Sequence, residues 1–331
     1  MSLIGKFVEA AKRQKKRIIL PEADEPRMLQ AARQVKDEGI AEPVIVGEAA
    51  AYEATKASLG LNMSDIEFVD VASTGSMDRY VESYVASRGS KDSIARRLLS
   101  RPLYYGGMMV AQKDADGMVG GCLNLTATVI KAASLTIGYA DGITSPSSLF
   151  IMVVPNCEYG DNGILIYADA GVNPEPTPRE LAEIAVSSAR SARVLLGMDP
   201  RVAMLSFSTL GSASHPRTAR VIEATKIARE MAPDIPIEGE FQADAAIVPR
   251  VAAKKVTVES KVAGKANVLI FPDLDAGNIC YKLTQYLAKA EAYGPLFQGF
   301  ARPVNDLSRG ASVSDIVGVV AITAVEAQST T

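Results

Sequence analysis

Apolar and polar positions along the chain follow two alternating rhythms. Short apolar runs, Ile18-Ile19-Leu20, Pro43-Val44-Ile45-Val46-Gly47, Phe68-Val69 and Gly117-Met118-Val119, are separated by longer stretches with helical spacing at residues 25–38 and 77–99. This alternation predicts a parallel sheet with helical crossovers. It restarts near residue 142, with strands predicted at 149–154, 164–167, 202–206, 245–248 and 268–271 and helices at 178–196 and 218–232. The loops after these strands carry Gly160, Gly163, Gly171, Gly211 and Gly277. Ligands in open α/β sheets bind beyond the carboxyl ends of the strands, so function is expected in those loops.

A chain of 331 residues exceeds what one core holds, since single cores stop growing at roughly 250 to 300 residues, and two domains are expected. With 48% hydrophobic and 22% charged residues, the composition is that of an ordinary globular enzyme. The 35 basic and 38 acidic residues are interspersed and give a net charge of -3, so nothing draws the chain to nucleic acid or an anionic membrane. The longest apolar runs, 149–154 and 316–325, fall well short of the ~20 residues that span a bilayer. Ile4, Phe7, Val8 and Ala11 share a helical face interspersed with lysines, an amphipathic helix and not a signal peptide, so a cytoplasmic location is expected. Cys122, Cys157 and Cys280 are odd in number and widely spaced, and are read as reduced thiols.

Several chemistries lack their residues. The single histidine, His215, has no catalytic partner beside it in Gly211-Ser212-Ala213-Ser214-His215-Pro216 and reads as a solvated loop residue. A Ser-His-Asp triad and a multi-histidine zinc site are disfavoured, and no metal site is expected. Gly264-Lys265 is followed by Ala266 and does not complete a phosphate loop, and no G-x-G-x-x-G follows a strand. Carboxylates, hydroxyls, guanidiniums and backbone amides remain as the working groups.

The segment PVNDLSRGASVSDIVG, residues 303–318, concentrates them. Ser312 can cap a helix beginning at Val313, whose unpaired N–H groups and positive dipole end suit an anion, with Arg309 nearby. Asp315, three residues after Ser312, also fits a capping box, Arg309 a surface ion pair, and Ser308 an ordinary turn. Spacing alone leaves capping and ligand binding both open.

Longer motifs carry a resemblance. Leu20-Pro21-Glu22-Ala23-Asp24-Glu25-Pro26-Arg27, Val154-Pro155-Asn156-Cys157-Glu158-Tyr159-Gly160, Glu238-Gly239-Glu240-Phe241-Gln242-Ala243-Asp244, Phe271-Pro272-Asp273-Leu274 with Gly277-Asn278, Ala288-Lys289-Ala290-Glu291-Ala292-Tyr293-Gly294-Pro295 and the 303–310 stretch follow one another in the order found in phosphate acetyltransferases. The chain resembles the phosphate acetyl/butyryl transferase family over nearly its whole length. The resemblance implies two α/β/α domains with mainly parallel sheets and an interdomain active-site cleft. The first domain would be discontinuous, 1–141 plus 298–331, with the second at 142–297. It also implies reversible acetyl transfer between CoA and phosphate with no cofactor, CoA, acyl phosphate and phosphate being substrates, and a homodimer.

By the same resemblance Asp315 is the base for the CoA thiol, Arg309 holds the acyl phosphate or departing phosphate, and Ser308 hydrogen-bonds the developing oxyanion. A thiol titrates near ~8.5, so general-base help is worth roughly 100- to 10,000-fold. Arg27, Thr126, Thr128, Lys131, Cys157, Asn278 and Asn305 are the corresponding substrate-binding candidates, with Cys157 lining the site and not forming an acyl-enzyme; Arg27 equally suits an interdomain salt bridge. Two departures stand out. Lys131 replaces the family's arginine and loses its bidentate grip, and Val85 stands where a second arginine is expected, with Arg88 displaced by about one helical turn. These departures keep two alternatives in view, a phosphate butyryltransferase and a catalytically silent CoA-binding regulatory module.

Overall fold

The computed structural model describes residues 2–329. The chain divides into two compact units, one running to Ala140 and resuming at Phe300, the other comprising Asp141–Gly299. The first contains α1 (Leu3–Arg13), β1 (Arg17–Leu20), α2 (Pro26–Asp37), β2 (Glu42–Gly47), α3 (Ala49–Leu59), β3 (Glu67–Asp70), α4 (Met77–Arg88), α5 (Asp92–Leu99), α6 (Pro102–Ala111), β4 (Gly117–Gly120) and α7 (Thr126–Thr136). The second contains β5 (Ser147–Val153), the single turn α8 (Tyr159–Asn162), β6 (Ile164–Ala168), α9 (Pro178–Leu196), β7 (Val202–Leu205), α10 (Pro216–Met231), β8 (Ile237–Phe241), α11 (Ala243–Ile247), α12 (Pro249–Lys255), β9 (Val268–Ile270), α13 (Leu274–Leu287) and β10 (Glu291–Gln298). The chain then re-enters the first unit as β11 (Val304–Asp306) and α14 (Val313–Gln328).

The first sheet has the order β11-β4-β1-β2-β3 with every pair parallel. Successive strand residues point to opposite faces. Gly117 lies against Thr323 of α14, while Ile19 and Met118 lie against Gly106 of α6, where a Cβ would sit 2.7 Å from Ile19. Helices α1, α2 and α14 pack together on one face and α6 with α7 on the other, giving a three-layer unit. Met28, Leu29, Tyr80, Tyr104 and Tyr105 are among its fully buried side chains.

The second sheet has the order β10-β5-β6-β9-β7-β8, in which β6, β9, β7 and β8 are parallel and β5 runs antiparallel to both neighbours. Its core joins Phe150, Met152, Leu165, Tyr167, Leu205, Phe241 and Leu269, with Ala246, Ala276 and Tyr281 packed on it from the helices.

The mixed α/β architecture with mainly parallel sheets is that predicted from the alternation. Two elements differ. Residues 245–248 lie mostly in α11, and the strand is β8 just before it. A four-residue apolar run carries no periodicity that separates a buried strand from a buried helical turn. The helix expected over 77–99 is two helices, because Gly89 at φ 63° closes α4 with a left-handed cap. Phe7 and Ala11 of the amphipathic α1 are buried as its pattern predicts. All three cysteines are free thiols, and among the described residues no helix is long and apolar enough to cross a membrane.

Candidate active site

In the first sheet β2 and β3 lie to one side of β1, and β4 and β11 to the other. The order of the chain therefore reverses at β1/β4, where α/β sheets open a crevice at the strands' carboxyl ends. Three loops meet at that edge. The first supplies Glu22, which is 2% exposed and reaches into the loop that follows β4. Its carboxylate accepts the backbone N–H groups of Gly121 (3.1 Å to each oxygen), Cys122 (2.9 Å), Leu123 (3.0 Å) and Asn124 (3.1 Å), together with Asn124 Nδ2 at 2.8 Å. A buried carboxylate is tolerated when donors surround it in this way. Gly121, at φ 120°, permits the turn, and a side chain there would collide with Asp306.

The third loop follows β11. Leu307 is buried, and its N–H donates to Gly120 O at 2.9 Å, whereas Ser308, Arg309 and Gly310 are exposed. Ser308 Oγ accepts the Gly310 N–H at 3.2 Å. Arg27 secures the turn from below: Nη1 donates to Arg309 O at 3.0 Å and Ala311 O at 2.7 Å, while Nε and Nη2 grip Glu25 at 2.8 and 2.9 Å. Those hydrogen bonds hold the Glu25 carboxyl below its usual range against the opposing effect of burial. Arg27 thus holds the loop's backbone and a carboxylate of its own unit.

Helix α14 starts with a reciprocal capping box. Ser312 Oγ accepts the Asp315 N–H at 3.2 Å, and Asp315 Oδ2 accepts Ser312 N–H at 2.9 Å and its hydroxyl at 2.8 Å. Asp315 remains exposed in the first turn. The capping reading of the sequence therefore holds, and it fixes the carboxylate in the first turn of the helix that follows the Ser308–Arg309 turn.

Thr126 opens α7, and its hydroxyl donates to Asp306 Oδ2 at 2.5 Å. Burial pushes the Asp306 carboxyl up to about 6, aided weakly by the charge of Glu22 and opposed by Thr126 and the Leu307 N–H. Thr128 and the exposed Lys131, three residues apart, share a face of α7. Arg88, the displaced arginine, donates to Ser134 O near the far end of that helix at 3.1 Å. Cys122 lies beneath the loop, its thiol pushed up to about 12 by burial and then by Glu22, so it is no nucleophile.

Asn305 is corrected from a substrate contact to a scaffold residue. It is fully buried on the opposite face of β11 from Asp306, donating to Thr323 Oγ1 at 3.0 Å and Glu326 Oε2 at 2.8 Å. In the second unit Asn278 donates to Ala170 O at 3.1 Å, at the edge where Asp169 collects Ser148 Oγ (2.5 Å) and the N–H groups of Gly171 (3.0 Å) and Asn173 (2.9 Å). Cys157 follows the antiparallel β5, and together with Cys280 of α13 it acts on Tyr167 of β6. His215 is exposed and caps α10, its Nδ1 accepting the Arg217 N–H at 3.2 Å.

A family model described as phosphate acetyl/butaryl transferase matches residues 2–324. The chain is 50% identical over 331 residues to the phosphate acetyltransferase of Thermoanaerobacterium thermosaccharolyticum, covering 99% of this chain and 100% of that one. It is likewise 50% identical to the phosphate acetyltransferase of Acetivibrio thermocellus, covering 99% of each. The solved phosphotransacetylase of Streptococcus pyogenes superposes with a TM-score of 0.92 at 39% identity, over 99% of each chain. The chain belongs to the phosphate acetyl/butaryl transferase family.

Membership in this family gives the loop cluster of the first unit its context, and two of that cluster's key residues escaped the sequence reading. Glu22 and Asp306 both sit inside motifs quoted for the resemblance, yet neither was given a role. The available signal was local: a carboxylate directly after β1, glycines ending β4, and an aspartate ending the short β11.

Proposed function

We propose that the protein is a phosphate acetyltransferase, interconverting acetyl-CoA plus phosphate with acetyl phosphate plus CoA by direct thiol attack. The observation that carries this reading is the exposed Asp315, held by its reciprocal bonds to Ser312 next to the Ser308–Arg309 turn that Arg27 clamps. In the direction of acetyl-CoA synthesis, Asp315 takes the thiol proton as sulfur bonds to the acyl carbon. Ser308 donates to the oxyanion that forms, the acyl C–O bond to phosphate breaks, and phosphate leaves with the electron pair against Arg309. Thr126, Thr128 and Lys131 hold phosphate or CoA from α7.

No metal or redox group takes part in this scheme, and the homodimer and cytoplasmic location implied by the resemblance belong to the same proposal. The test is CoA release from acetyl-, propionyl- and butyryl-CoA with and without phosphate. Phosphate-dependent release, fastest with acetyl-CoA, is expected. One methylene contributes about 1 to 3 kcal/mol of discrimination, so a preference for butyryl-CoA of tenfold or more makes the protein a butyryltransferase. CoA binding with no turnover on any acyl donor refutes the enzymatic reading.

A further inference from the structure

Among the described residues, Asp306 combines three features that the proposed chemistry does not use. The residue is 94% buried, one carboxylate oxygen takes the Thr126 hydroxyl at 2.5 Å, and the other has no hydrogen bond of its own, the nearby Leu307 N–H being spent on Gly120 O. Its position links two functional segments. The next residues are Leu307, Ser308 and Arg309, and Thr126 is the first residue of α7. The loop 121–124 lies between Asp306 on one side and Glu22 on the other, Glu22 carrying the loop's N–H groups and Asp306 a single hydroxyl. A buried acceptor without a protein donor is costly and calls for an explanation, a functional role or a bound water among them.

We propose that Asp306 is a positioning residue of the phosphate subsite: through Thr126 it fixes the first turn of α7 beside the Ser308–Arg309 turn and sets where the Thr126 hydroxyl points its proton. This rests on the reading of Thr126 as a phosphate contact. With Asp306 ionised, Thr126 donates inward to Oδ2 and turns lone pairs toward an arriving anion. With Asp306 protonated, the carboxyl O–H donates to Thr126 Oγ1, and the threonine's own proton is released to a phosphate oxygen. Phosphate binding is then coupled to uptake of one proton at Asp306.

Burial and the arriving anion both favour the protonated form. The titratable groups that act with Asp306 are Glu22 from the segment after β1 and Cys122 from the loop after β4, and Cys122 in turn feels Glu25 and Arg27. Helix α7 presents the Thr126 hydroxyl. Glu326 of α14 faces Asn305, on the other side of β11. The sign follows: KM for phosphate rises as pH climbs through the ionisation of Asp306, and kcat at saturating phosphate changes little.

The experiment measures KM for phosphate and kcat at saturating acetyl-CoA from pH 5.5 to 8.5 for the wild type, Asp306→Asn, Thr126→Ser and Thr126→Val. The ionisation of phosphate itself is common to all four and cancels in the ratios. In Asp306→Asn the amide donates to Thr126 at every pH, so KM is expected to lose the wild-type rise, reaching a tenfold lower value relative to wild type at the alkaline end. Thr126→Val is expected to raise KM about tenfold and flatten its pH dependence, and Thr126→Ser to restore both. An Asp306→Asn profile parallel to the wild type overturns the proposal. If that variant does not fold, a Thr126→Val profile parallel to the wild type does so instead. Thr126→Val with unchanged KM removes Thr126 from the phosphate subsite, a failure distinguishable from that of Asp306 alone.

Discussion

Replacing Glu22 by Gln exchanges one buried carboxylate oxygen for an NH2 group while keeping the side chain's shape. Oε1 serves Leu123 N, Asn124 N and Asn124 Nδ2, Oε2 serves Cys122 N, and Gly121 N is shared. If the amide oxygen takes the Oε1 position, three bonds survive without the charge, each weakened by about 1 kcal/mol, and the buried Cys122 N–H loses its acceptor and faces another donor at a cost of about 1 to 3 kcal/mol. The sum is about 4 to 6 kcal/mol. At roughly 2 to 4 °C per kcal/mol for a unit of this size, the melting transition should fall by about 10 °C or more. The loop 121–124 leads into α7, so turnover should fall as well. Thermal denaturation followed by circular dichroism, with the exposed Glu48→Gln as a control expected to shift by about 0.5 kcal/mol or less, reads the effect. Glu22→Gln melting within 2 °C of the wild type at full activity would refute the reasoning that this carboxylate organises the loop.

Three further outcomes are expected. Ser312→Ala should cost about 1 kcal/mol in denaturant titration and lower kcat more than KM, because the cap also holds Asp315; an unchanged kcat would separate the cap from the base. Cys157→Ala should keep phosphate-dependent turnover within about threefold in the CoA-release assay, since in a direct transfer this thiol attacks nothing; loss of turnover would point to an acyl-enzyme. Asp306, raised from 3.8 to about 6 in the folded state, binds more protons folded than unfolded, so its contribution to stability is full below pH 4 and declines as pH rises to about 6. Asp306→Asn should abolish that decline in denaturant midpoints measured between pH 4 and 7, and a decline of wild-type size in the variant would show that another group causes it.

The layered architecture was legible because its buried parallel strands write themselves as β-branched runs, as in Ile18-Ile19-Leu20. Strand β11 was not, because Val304-Asn305-Asp306 is polar: Asn305 is satisfied by α14 on one face and Asp306 by α7 on the other. Strand β8 was missed for a related reason, its Glu238 and Glu240 carrying carboxylates into a parallel sheet. At the site, the Ser312–Asp315 box was readable because both partners lie three residues apart. The Glu22 bonds span about a hundred positions and end on backbone N–H groups, which have no letter in the sequence. The part Arg27 plays in holding the loop was hidden likewise, since its partners there are the carbonyls of Arg309 and Ala311. Local spacing exposes short-range devices, and long-range ties to backbone need the fold.

The most direct test of the proposed chemistry is acetyl-CoA formation from CoA and acetyl phosphate by the wild type and by Asp315→Asn, with CoA affinity and melting temperature measured on the same preparations. The amide keeps an acceptor for the Ser312 N–H but cannot take a thiol proton. Turnover should therefore fall by roughly 100-fold or more, while CoA affinity stays within a few-fold and the fold persists. Near wild-type turnover in Asp315→Asn would leave the residue as a helix cap alone and contradict its role as the base.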